Sequence, residues 1–432
     1  MSETIIESLD HDGKGVARLS GKTVFIEGAL PGERIEFVST RKKPTYELGV
    51  VQRIFRQSTF RAQPRCRYFG ICGGCSMQHL DTSVQVAAKQ RVLEDALWHI
   101  ARLRPHIVFP AIHGPAWAYR HRARLSVRLV PRKGGVLVGF HERKSSYVAD
   151  MDSCEVLPAT ISALLPELKK LIGSLSISDR IPQIEVAVGD VARVLVFRIL
   201  EPLSMSDQDR LRTFSERFEV QVFLQPAGPD TAFCFHPAHA PELAYSLSEF
   251  DLRLRFAPTD FTQVNHAANQ VLVRRSLQLL APRPGERIVD MFCGLGNFTL
   301  PVARRGADVV GVEGNPGLIK RAQENATANR LGDRARFRMA DLFEIDAAEL
   351  RGLGEFDKML IDPPREGAIA LVKSLDSARL KRLVYVSCNP ATLARDAAVL
   401  VHDKGYQFSG AGIANMFPHT SHVESIALFE RQ

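Results

Sequence analysis

The sequence lacks the features that would place a protein in or across a membrane. No apolar run is long enough to span a bilayer, and the opening MSETIIESLD has neither the basic nor the apolar stretch of a signal peptide. Internal repeats and low-complexity segments are also absent. We therefore expect a globular protein of the cytoplasm that has no membrane partner.

The net charge indicates the kind of partner to expect, and the positions of the cysteines indicate the kind of site. The 56 Lys and Arg residues outnumber the 48 Asp and Glu residues, which gives a formal net charge of +8. This balance favours a polyanionic partner, although many basic proteins bind no nucleic acid. In a reducing compartment, the seven cysteines indicate a metal where they cluster, and packing or catalysis where they stand alone.

The chain divides into three regions, for which we expect the bounds 1–57, 58–250 and 251–432. In the first, apolar residues alternate in KTVFIEGAL and RIEFVST between turn pairs, which predicts a small β-barrel. The second opens with a cysteine cluster and continues through an amphipathic helical stretch, VQVAAKQRVLEDALWHIARL. In the third, strands from RIVDMF to VESIALFE alternate with helices, which predicts an α/β domain with a doubly wound parallel sheet.

An arginine-rich segment, YRHRARLSVRLV, lies in the second region. Alternate residues of a strand face opposite sides, so one side is apolar and the other carries Arg120, Arg122, Arg124 and Arg128. Four guanidiniums on one face repel one another unless an anion lies across them. Contact with RNA phosphates is the preferred interpretation, and pairing with carboxylates of a neighbouring strand is the alternative.

Unusual residues follow the strands of the third region, at the edge where a doubly wound sheet binds its ligand. The first strand runs into DMFCGLGNF, residues 290–298, whose glycines let the backbone come close to a ligand. Later strands end at or just before Glu313, Asp341 and Asp362. The turn lacks the G-x-G-x-x-G of a dinucleotide site. The ordered set resembles the motifs of class I methyltransferases, and an α/β domain for another ligand is the alternative.

A candidate nucleophile, Cys388, ends the fifth strand beside the strand that ends at Asp362. Most lone cysteines are small buried hydrophobes, but this position at the ligand edge favours catalysis. Carbon 5 of uracil becomes nucleophilic only after a thiolate adds to carbon 6, and a base must later remove the carbon 5 proton. If the last strand inserts antiparallel beside the fifth, it brings Glu424 to this edge. Glu424 is the predicted base, with His419 and His422 as weaker candidates.

Four motifs, DMFCGLGNF, IDPPR, SCNPATLARD and HTSHVES, together resemble the TrmA/RumA family of RNA uracil-C5 methyltransferases over essentially the whole chain. The resemblance implies that S-adenosylmethionine is the methyl donor, Cys388 the nucleophile and Glu424 the base. It also implies cofactor contacts at Gln263, Phe292, Asn297, Glu313, Asp341 and Asp362. The N-terminal barrel resembles a TRAM domain, an OB-like RNA-binding module. Barrel and cysteine cluster together resemble the branch that methylates uridine 1939 of 23S ribosomal RNA.

The cysteine cluster comprises Cys66, Cys72, Cys75 and the distant Cys154. Four cysteines suit structural zinc, but three close together and one remote fit a 4Fe–4S cluster better, and the family resemblance implies such a cluster. The expected fold is thus a class I methyltransferase domain with an N-terminal barrel and a central iron–sulfur domain. Cys234 and Cys293 have no partner at suitable spacing and are interpreted as packing residues.

Other functions remain open at this point. Another 23S uridine or a tRNA uridine could be the target. A methyltransferase for exocyclic amines would use Asp-Pro-Pro but would leave Cys388 idle. A non-catalytic RNA-binding or redox-sensing protein would need only the cysteine cluster. We expect the protein to be a monomer.

Overall fold

The N-terminal residues form a six-stranded sheet that coils around its own small core. The computed structural model describes residues 2–239, 241–376 and 379–431. The strands follow the order β1-β5-β6-β4-β3-β2 and are β1 (Ser2–Ile5), β2 (Ser8–Leu9), β3 (Gly15–Leu19), β4 (Lys22–Glu27), β5 (Arg34–Lys42) and β6 (Tyr46–Arg56). Val24, Ile26, Ile35 and Phe37 point inward and are buried, while the residues between them are more exposed. β1 also contacts β3, as expected for the predicted small β-barrel.

The amphipathic stretch after the cysteine-rich loop forms helix α1 (Thr82–Ala96), which continues as a π-helical turn over Leu97–Ala101. Its apolar residues Leu93 and Leu97 pack into the core of the C-terminal sheet. A two-residue strand, β7 (Ile107–Val108), lies at the edge of that same sheet. Residues 82–108 lie within the second region as predicted from the sequence, 58–250, but α1 and β7 pack with the third region.

The second region is built on a six-stranded sheet with the order β13-β12-β11-β10-β8-β9. Its elements are β8 (Arg122–Val130), β9 (Gly135–Gly139), α2 (Ala159–Ser162), α3 (Leu164–Ser174), β10 (Gln183–Val188), β11 (Arg193–Arg198), α4 (Met205–Phe218), β12 (Gln221–Gln225) and β13 (Phe233–His236). Leu164, Leu168, Leu171 and Ile172 form the buried face of α3 against this sheet. A hairpin of β14 (Ala244–Leu247) and β15 (Leu252–Arg255) leads into the third region.

The third region is an eight-stranded sheet with the order β18-β17-β16-β19-β20-β22-β21-β7. Its elements are α5 (His266–Leu280), β16 (Arg287–Met291), α6 (Thr299–Arg304), β17 (Asp308–Glu313), α7 (Pro316–Ala328), β18 (Ala335–Met339), α8 (Ala347–Gly352), β19 (Lys358–Ile361), α9 (Ile369–Ser374), β20 (Arg382–Ser387), α10 (Pro390–Ala398), β21 (Gln407–Ala414) and β22 (Glu424–Glu430). β16 to β20 run parallel, and β22 inserts antiparallel between β20 and β21. The predicted doubly wound sheet and its antiparallel last strand are confirmed.

Central strands of this sheet are buried on both faces, because helices cover each side. β20 (RLVYVS) is buried from Leu383 to Ser387, which explains its unbroken apolar run. The carboxyl edge of these strands is the part of the sheet that remains open for a ligand. Within the described residues, no helix combines the length and apolarity that a membrane crossing requires.

Candidate active site

A large pocket opens at the carboxyl edge of β16, β17, β19 and β20. Seven of the eight predicted site residues line it: Gln263, Phe292, Asn297, Glu313, Asp362, Cys388 and Glu424. Asp341, the eighth, lies two residues beyond the end of β18 with an exposed side chain and is not part of the lining. Its neighbour Phe343 lines the pocket instead. The structure therefore brings together residues from Gln263 to Glu424, which are far apart in the sequence.

The glycine-bearing loop after β16 contains three residues with positive φ, a backbone conformation that few residue types adopt easily. Phe292, Gly294 and Gly296 have φ values of 64°, 55° and 97°, which glycine tolerates and phenylalanine resists. The strain at Phe292 turns its ring into the pocket lining. The Gly294 amide donates a hydrogen bond to Glu313 Oε2 (3.1 Å), and the Asn315 amide donates to Glu313 Oε1 (3.0 Å). Glu313 is thus fixed at the end of β17.

Asn297 is held by two residues that sequence reasoning missed. Tyr245 Oη and Asn269 Nδ2 both donate to Asn297 Oδ1 at 2.8 Å, and Asn297 Nδ2 donates to Asn269 Oδ1 at 3.0 Å. Asn269 is buried on α5, and a buried asparagine needs such partners. Its place on the inner face of α5 was the available signal, since an asparagine among apolar helix positions is unusual.

Asp290 is a buried carboxyl residue near the end of β16. It is only 1% exposed and accepts a hydrogen bond from Thr299 Oγ1 at 2.5 Å. Burial raises its pKa to about 7, and burial raises the pKa of Asp362 to about 7 as well. Asp290 is not part of the pocket lining, which carries the carboxyl groups of Glu313, Asp362 and Glu424. These three groups favour a bound cation or hydrogen-bond donors.

Cys388 lies between the end of β20 and the first turn of α10. Asn389 caps that helix, accepting from the Ala391 amide (3.1 Å), and its Nδ2 donates to the Arg365 carbonyl oxygen (3.0 Å). The thiol is half-buried. Burial raises its pKa to about 12, and the neighbouring carboxyls of Glu424 and Asp362 add to this effect.

Strand pairing brings Glu424 to Cys388. Ser387 of β20 pairs with Ser425 of β22, so the antiparallel register makes Cys388 and Glu424 the next pair along the two strands. Glu424 is 3% exposed, and burial together with the nearby Asp362 raises its pKa well above the usual value. The predicted neighbourhood of a cysteine and a carboxyl group is therefore present.

The two histidines considered as alternative bases have different surroundings. His422 lines the pocket, and burial lowers its pKa to about 4. His419 is not in the lining and stacks on Trp117, with ring centroids 3.8 Å apart. Of the two, only His422 is placed to reach a substrate in this pocket.

Cys66, Cys72, Cys75 and Cys154 line one separate pocket. Burial raises the pKa of Cys75 to about 12 and that of Cys154 to about 11. Across residues 2–239, 241–376 and 379–431, no group of three or more His, Cys, Asp or Glu side chains meets the spacing for a bound metal ion. Four thiols around one pocket nevertheless match the donor set of a multi-iron cluster, whose ligands stand farther apart than those of one ion.

The other two cysteines differ from each other. Cys293 is 3% exposed and packs beside the glycine-bearing loop, as predicted. Cys234 is exposed on β13, the outermost strand of the second sheet, so its interpretation as a packing residue is wrong. Its apolar neighbours Phe233 and Phe235 gave a misleading signal, because an edge strand has no neighbour to cover it.

The arginine-rich strand β8 pairs with β10, which carries Glu185 opposite Arg124. The Glu185 carboxylate lies 3.0 Å from a guanidinium nitrogen of Arg124 and 3.7 Å from one of Arg122. The alternative of carboxylate pairing is therefore correct for these two arginines. Arg128 is exposed, and none of the described carboxylates pairs with it.

The doubly wound sheet, with acid- and glycine-bearing loops at its carboxyl edge, is the fold of S-adenosylmethionine-dependent class I methyltransferases. Two family models match the chain: tRNA (Uracil-5-)-methyltransferase over residues 81–432 and the TRAM domain over residues 3–37. The chain belongs to the tRNA (uracil-5-)-methyltransferase family. The match begins at the start of α1, in agreement with the packing of that helix on the C-terminal sheet.

Relatives and solved structures agree with this assignment. The chain is 62% identical, over the full length of both proteins, to the 23S rRNA (uracil(1939)-C(5))-methyltransferase RlmD of Aromatoleum aromaticum. It is 63% identical, again over both full lengths, to the protein of that name from an Azoarcus species. The tRNA (uracil-54, C5)-methyltransferase of Pyrococcus abyssi, solved with S-adenosyl-L-homocysteine, is 26% identical with a TM-score of 0.76 over 99% of each chain.

Proposed function

We propose that this protein transfers a methyl group from S-adenosylmethionine to carbon 5 of uridine 1939 in 23S ribosomal RNA. The observation that carries the proposal is that Cys388 and Glu424, which lie next to the Ser387–Ser425 strand pair, line the same pocket. A nucleophile and a base in one site are what carbon 5 methylation of uracil requires. Relatives that are 62% and 63% identical over their full length carry this activity in their names.

The part of the pocket away from Cys388 is the proposed cofactor site. Glu313, fixed by two backbone amides, suits the ribose hydroxyls. Phe292, Asn297, Gln263 and Asp362 would complete the contacts, and Asp341 would contribute only at the rim. When bound, S-adenosylmethionine supplies an electrophilic methyl group on a sulfonium.

The proposed reaction uses Cys388 in its first and last steps and Glu424 once, between them. The Cys388 thiolate adds to carbon 6 of the uracil, and the electron pair of the carbon 5–carbon 6 bond moves into an enolate. Carbon 5 then bonds to the methyl group, while the electrons of the broken carbon–sulfur bond stay with the cofactor. The Glu424 carboxylate removes the carbon 5 proton, and the carbon 6–sulfur bond breaks to return the thiolate.

A uridine within a base stack cannot reach Cys388, so the target must be turned out of the RNA. Basic residues outside the pocket are the proposed RNA contacts. On β8, the exposed Arg128 is the member of the predicted row best suited to phosphate, because Arg122 and Arg124 already face Glu185. The barrel of residues 2–56 would hold a further part of the RNA. We expect the protein to act as a monomer in the cytoplasm, where ribosomal RNA is made and modified.

A 4Fe–4S cluster is proposed for the pocket lined by Cys66, Cys72, Cys75 and Cys154. The support is the set of four thiols around one pocket, together with the raised pKa values of Cys75 and Cys154. Buried thiols of this kind remain protonated unless a metal takes the place of the proton. The cluster would join the loop after the barrel to the second sheet.

The direct test is methyl transfer to a 23S ribosomal RNA fragment that contains uridine 1939. Nucleoside analysis should detect 5-methyluridine, and replacing that uridine with cytidine should abolish the product. Cys388→Ala should be inactive and Cys234→Ala, a matched change at an exposed thiol, fully active. Methylation of an adenosine or guanosine amine, with Cys388→Ala still active, would contradict the proposal and favour the exocyclic-amine reaction.

A further inference from the structure

The loop of residues 415–423, between β21 and β22, ends at Glu424 and is held by helix α1. Lys89 Nζ donates to Asn415 Oδ1 and to the Phe417 carbonyl oxygen, both at 2.8 Å. One turn earlier on α1, Gln85 Oε1 accepts from the His419 amide at 2.8 Å. Helix α1 therefore binds both ends of a five-residue stretch that lies just before the proposed base.

The same loop is held by the segment that follows Cys75. The amides of Ser76 and Met77 both donate to the His419 carbonyl oxygen at 2.9 Å. Ser76 Oγ accepts from the Ser421 amide at 3.1 Å. Gln85 connects helix α1 with this segment: its Nε2 donates to the Met77 carbonyl oxygen at 2.9 Å, and its Oε1 accepts from the His419 amide.

These contacts lie in the protein interior, where they are costly to build. Gln85 is fully buried, Lys89 is 2% exposed and His419 is 1% exposed. Burial lowers the pKa of Lys89 to about 7, which is the sign of an ammonium group taken out of water. An apolar side chain would suit stability as well, so buried polar groups of this kind serve to fix one arrangement.

The loop itself is strained at its most tightly held residue. His419 has a φ of 65°, a left-handed conformation that costs free energy for a non-glycine residue. Stacking on Trp117 and the hydrogen bonds to its amide and carbonyl group keep it there. These contacts fix the backbone that leads into Glu424, whose own backbone pairs with Ala414 of β21.

We propose that Gln85, Lys89 and Ser76 are positioning residues that hold the 415–423 loop so that Glu424 reaches the proton on carbon 5. This inference rests on the proposed function, because it assigns a step of that reaction to the loop. Cys388 directly follows β20, and the hydrogen bonds of Gln85, Lys89 and Ser76 described above go to the 415–423 loop. Addition of Cys388 to the RNA should therefore depend on them less than proton removal does. The later steps should slow most, namely loss of the carbon 5 proton and release of the thiolate.

The arrangement also connects the cysteine pocket with the active site. Ser76 directly follows Cys75, and no other residue separates the cysteine-lined pocket from the loop contact. A change in the position of Cys75 would therefore reach His419 through two amides.

The test uses steady-state and single-turnover reactions of the full-length protein with RNA that contains ordinary uridine. In Lys89→Met and Gln85→Leu we expect kcat to fall roughly ten- to a hundredfold with little change in KM for the RNA. A covalent protein–RNA adduct that already carries the methyl group should accumulate on denaturing gels. Arg91→Met, at an exposed cation of the same helix, should behave as wild type.

Two further variants separate positioning from a folding defect. Lys89→Arg keeps a donor and should recover part of the rate, and Ser76→Ala removes only the contact to Ser421. Each variant should bind S-adenosylhomocysteine as wild type does. Slow variants that form no more adduct than wild type, or that lose cofactor binding together with activity, would overturn the inference.

Glu424→Gln is the reference for the proposed function. It should form the methylated adduct and fail to release it. If Glu424→Gln releases product normally, the proposed base is wrong and the inference falls with it. If Glu424→Gln accumulates adduct but the three positioning variants do not, only the inference is wrong.

Discussion

The chain has two sites built from buried thiols, and comparing them shows how surroundings decide what a cysteine does. In both, burial raises the pKa of the thiol: to about 12 for Cys388 and Cys75, and to about 11 for Cys154. Around Cys388 the neighbours are carboxyl groups, Glu424 and Asp362. Around Cys75 the neighbours that add to the raised pKa are the other three cysteines of its pocket, Cys66, Cys72 and Cys154.

The difference lies in what could favour the thiolate. A single thiol beside carboxyl groups becomes a thiolate only when a cation lies nearby or when its electron pair is donated to the uracil ring. This behaviour suits a nucleophile that works beside a sulfonium cofactor. Several thiols facing one another need a shared cation, which suits metal ligands. The pKa of a buried cysteine alone would not have separated the two roles.

The largest effect is expected when the proposed catalytic thiol is removed. Cys388→Ala should lower the rate of methyl transfer by about four orders of magnitude or more, since it removes the proposed nucleophile. The measurement is kcat/KM with 23S RNA. Cys234→Ala removes a thiol at an exposed site and should leave the rate unchanged; a similar loss in both would mean that thiol removal acts through stability.

The next largest effect is expected when one cysteine of the cysteine-lined pocket is replaced. Cys75→Ser should lower the iron content of anaerobically purified protein and its melting temperature, because one of the four proposed ligands is lost. Cys388→Ser, with the same chemical change, should retain both. Iron analysis and thermal unfolding of the two variants provide the check, and equal iron content in both would contradict the assignment of the cysteine pocket.

The pH dependence of kcat/KM tests the proton-transfer roles of the two proposed catalytic residues. Cys388 and Glu424 must both lose protons before they act, and the pKa values of both are raised. The rate should therefore rise with pH, and a plot of log kcat/KM against pH should have a slope of about two where both groups are protonated. A rate that is flat from mildly acidic to alkaline pH would contradict the proton-transfer roles.

The smallest expected effect concerns stability. The folded-state pKa of Glu424 lies above its unfolded value, so folding is favoured most at low pH, and this contribution is lost as pH rises through the folded-state pKa. Glu424→Gln removes the cost of a buried charge, and its melting temperature should exceed that of wild type by more as pH rises. Glu366→Gln, at an exposed carboxylate, should show no such trend.

Much of the active site could be predicted from the sequence, because sheet topology alone brings it together. The carboxyl ends of parallel strands meet at one edge, and an antiparallel last strand starts at that edge, so Cys388 and Glu424 had to be near each other. Asp341 is the exception. It follows β18, the outermost strand of the sheet, and two extra residues carry its side chain away from the pocket.

The role of helix α1 could not be predicted, because an amphipathic pattern does not say which surface covers the apolar face. Gln85 and Lys89 had the composition of solvent-facing positions, yet both are buried against a loop more than 300 residues away. The pairing of Arg124 with Glu185 likewise depends on strand register. Contacts between distant segments are set by tertiary packing, which local pattern does not encode.

The most direct test of covalent catalysis is a trapping experiment with RNA that carries 5-fluorouridine at position 1939. Fluorine cannot leave as a proton does, so the methylated adduct should persist through denaturing electrophoresis. Digestion and mass spectrometry should find the nucleotide on Cys388, and Cys388→Ala should give no adduct. If protein that binds cofactor and methylates unmodified RNA forms no such adduct, covalent catalysis by Cys388 is contradicted.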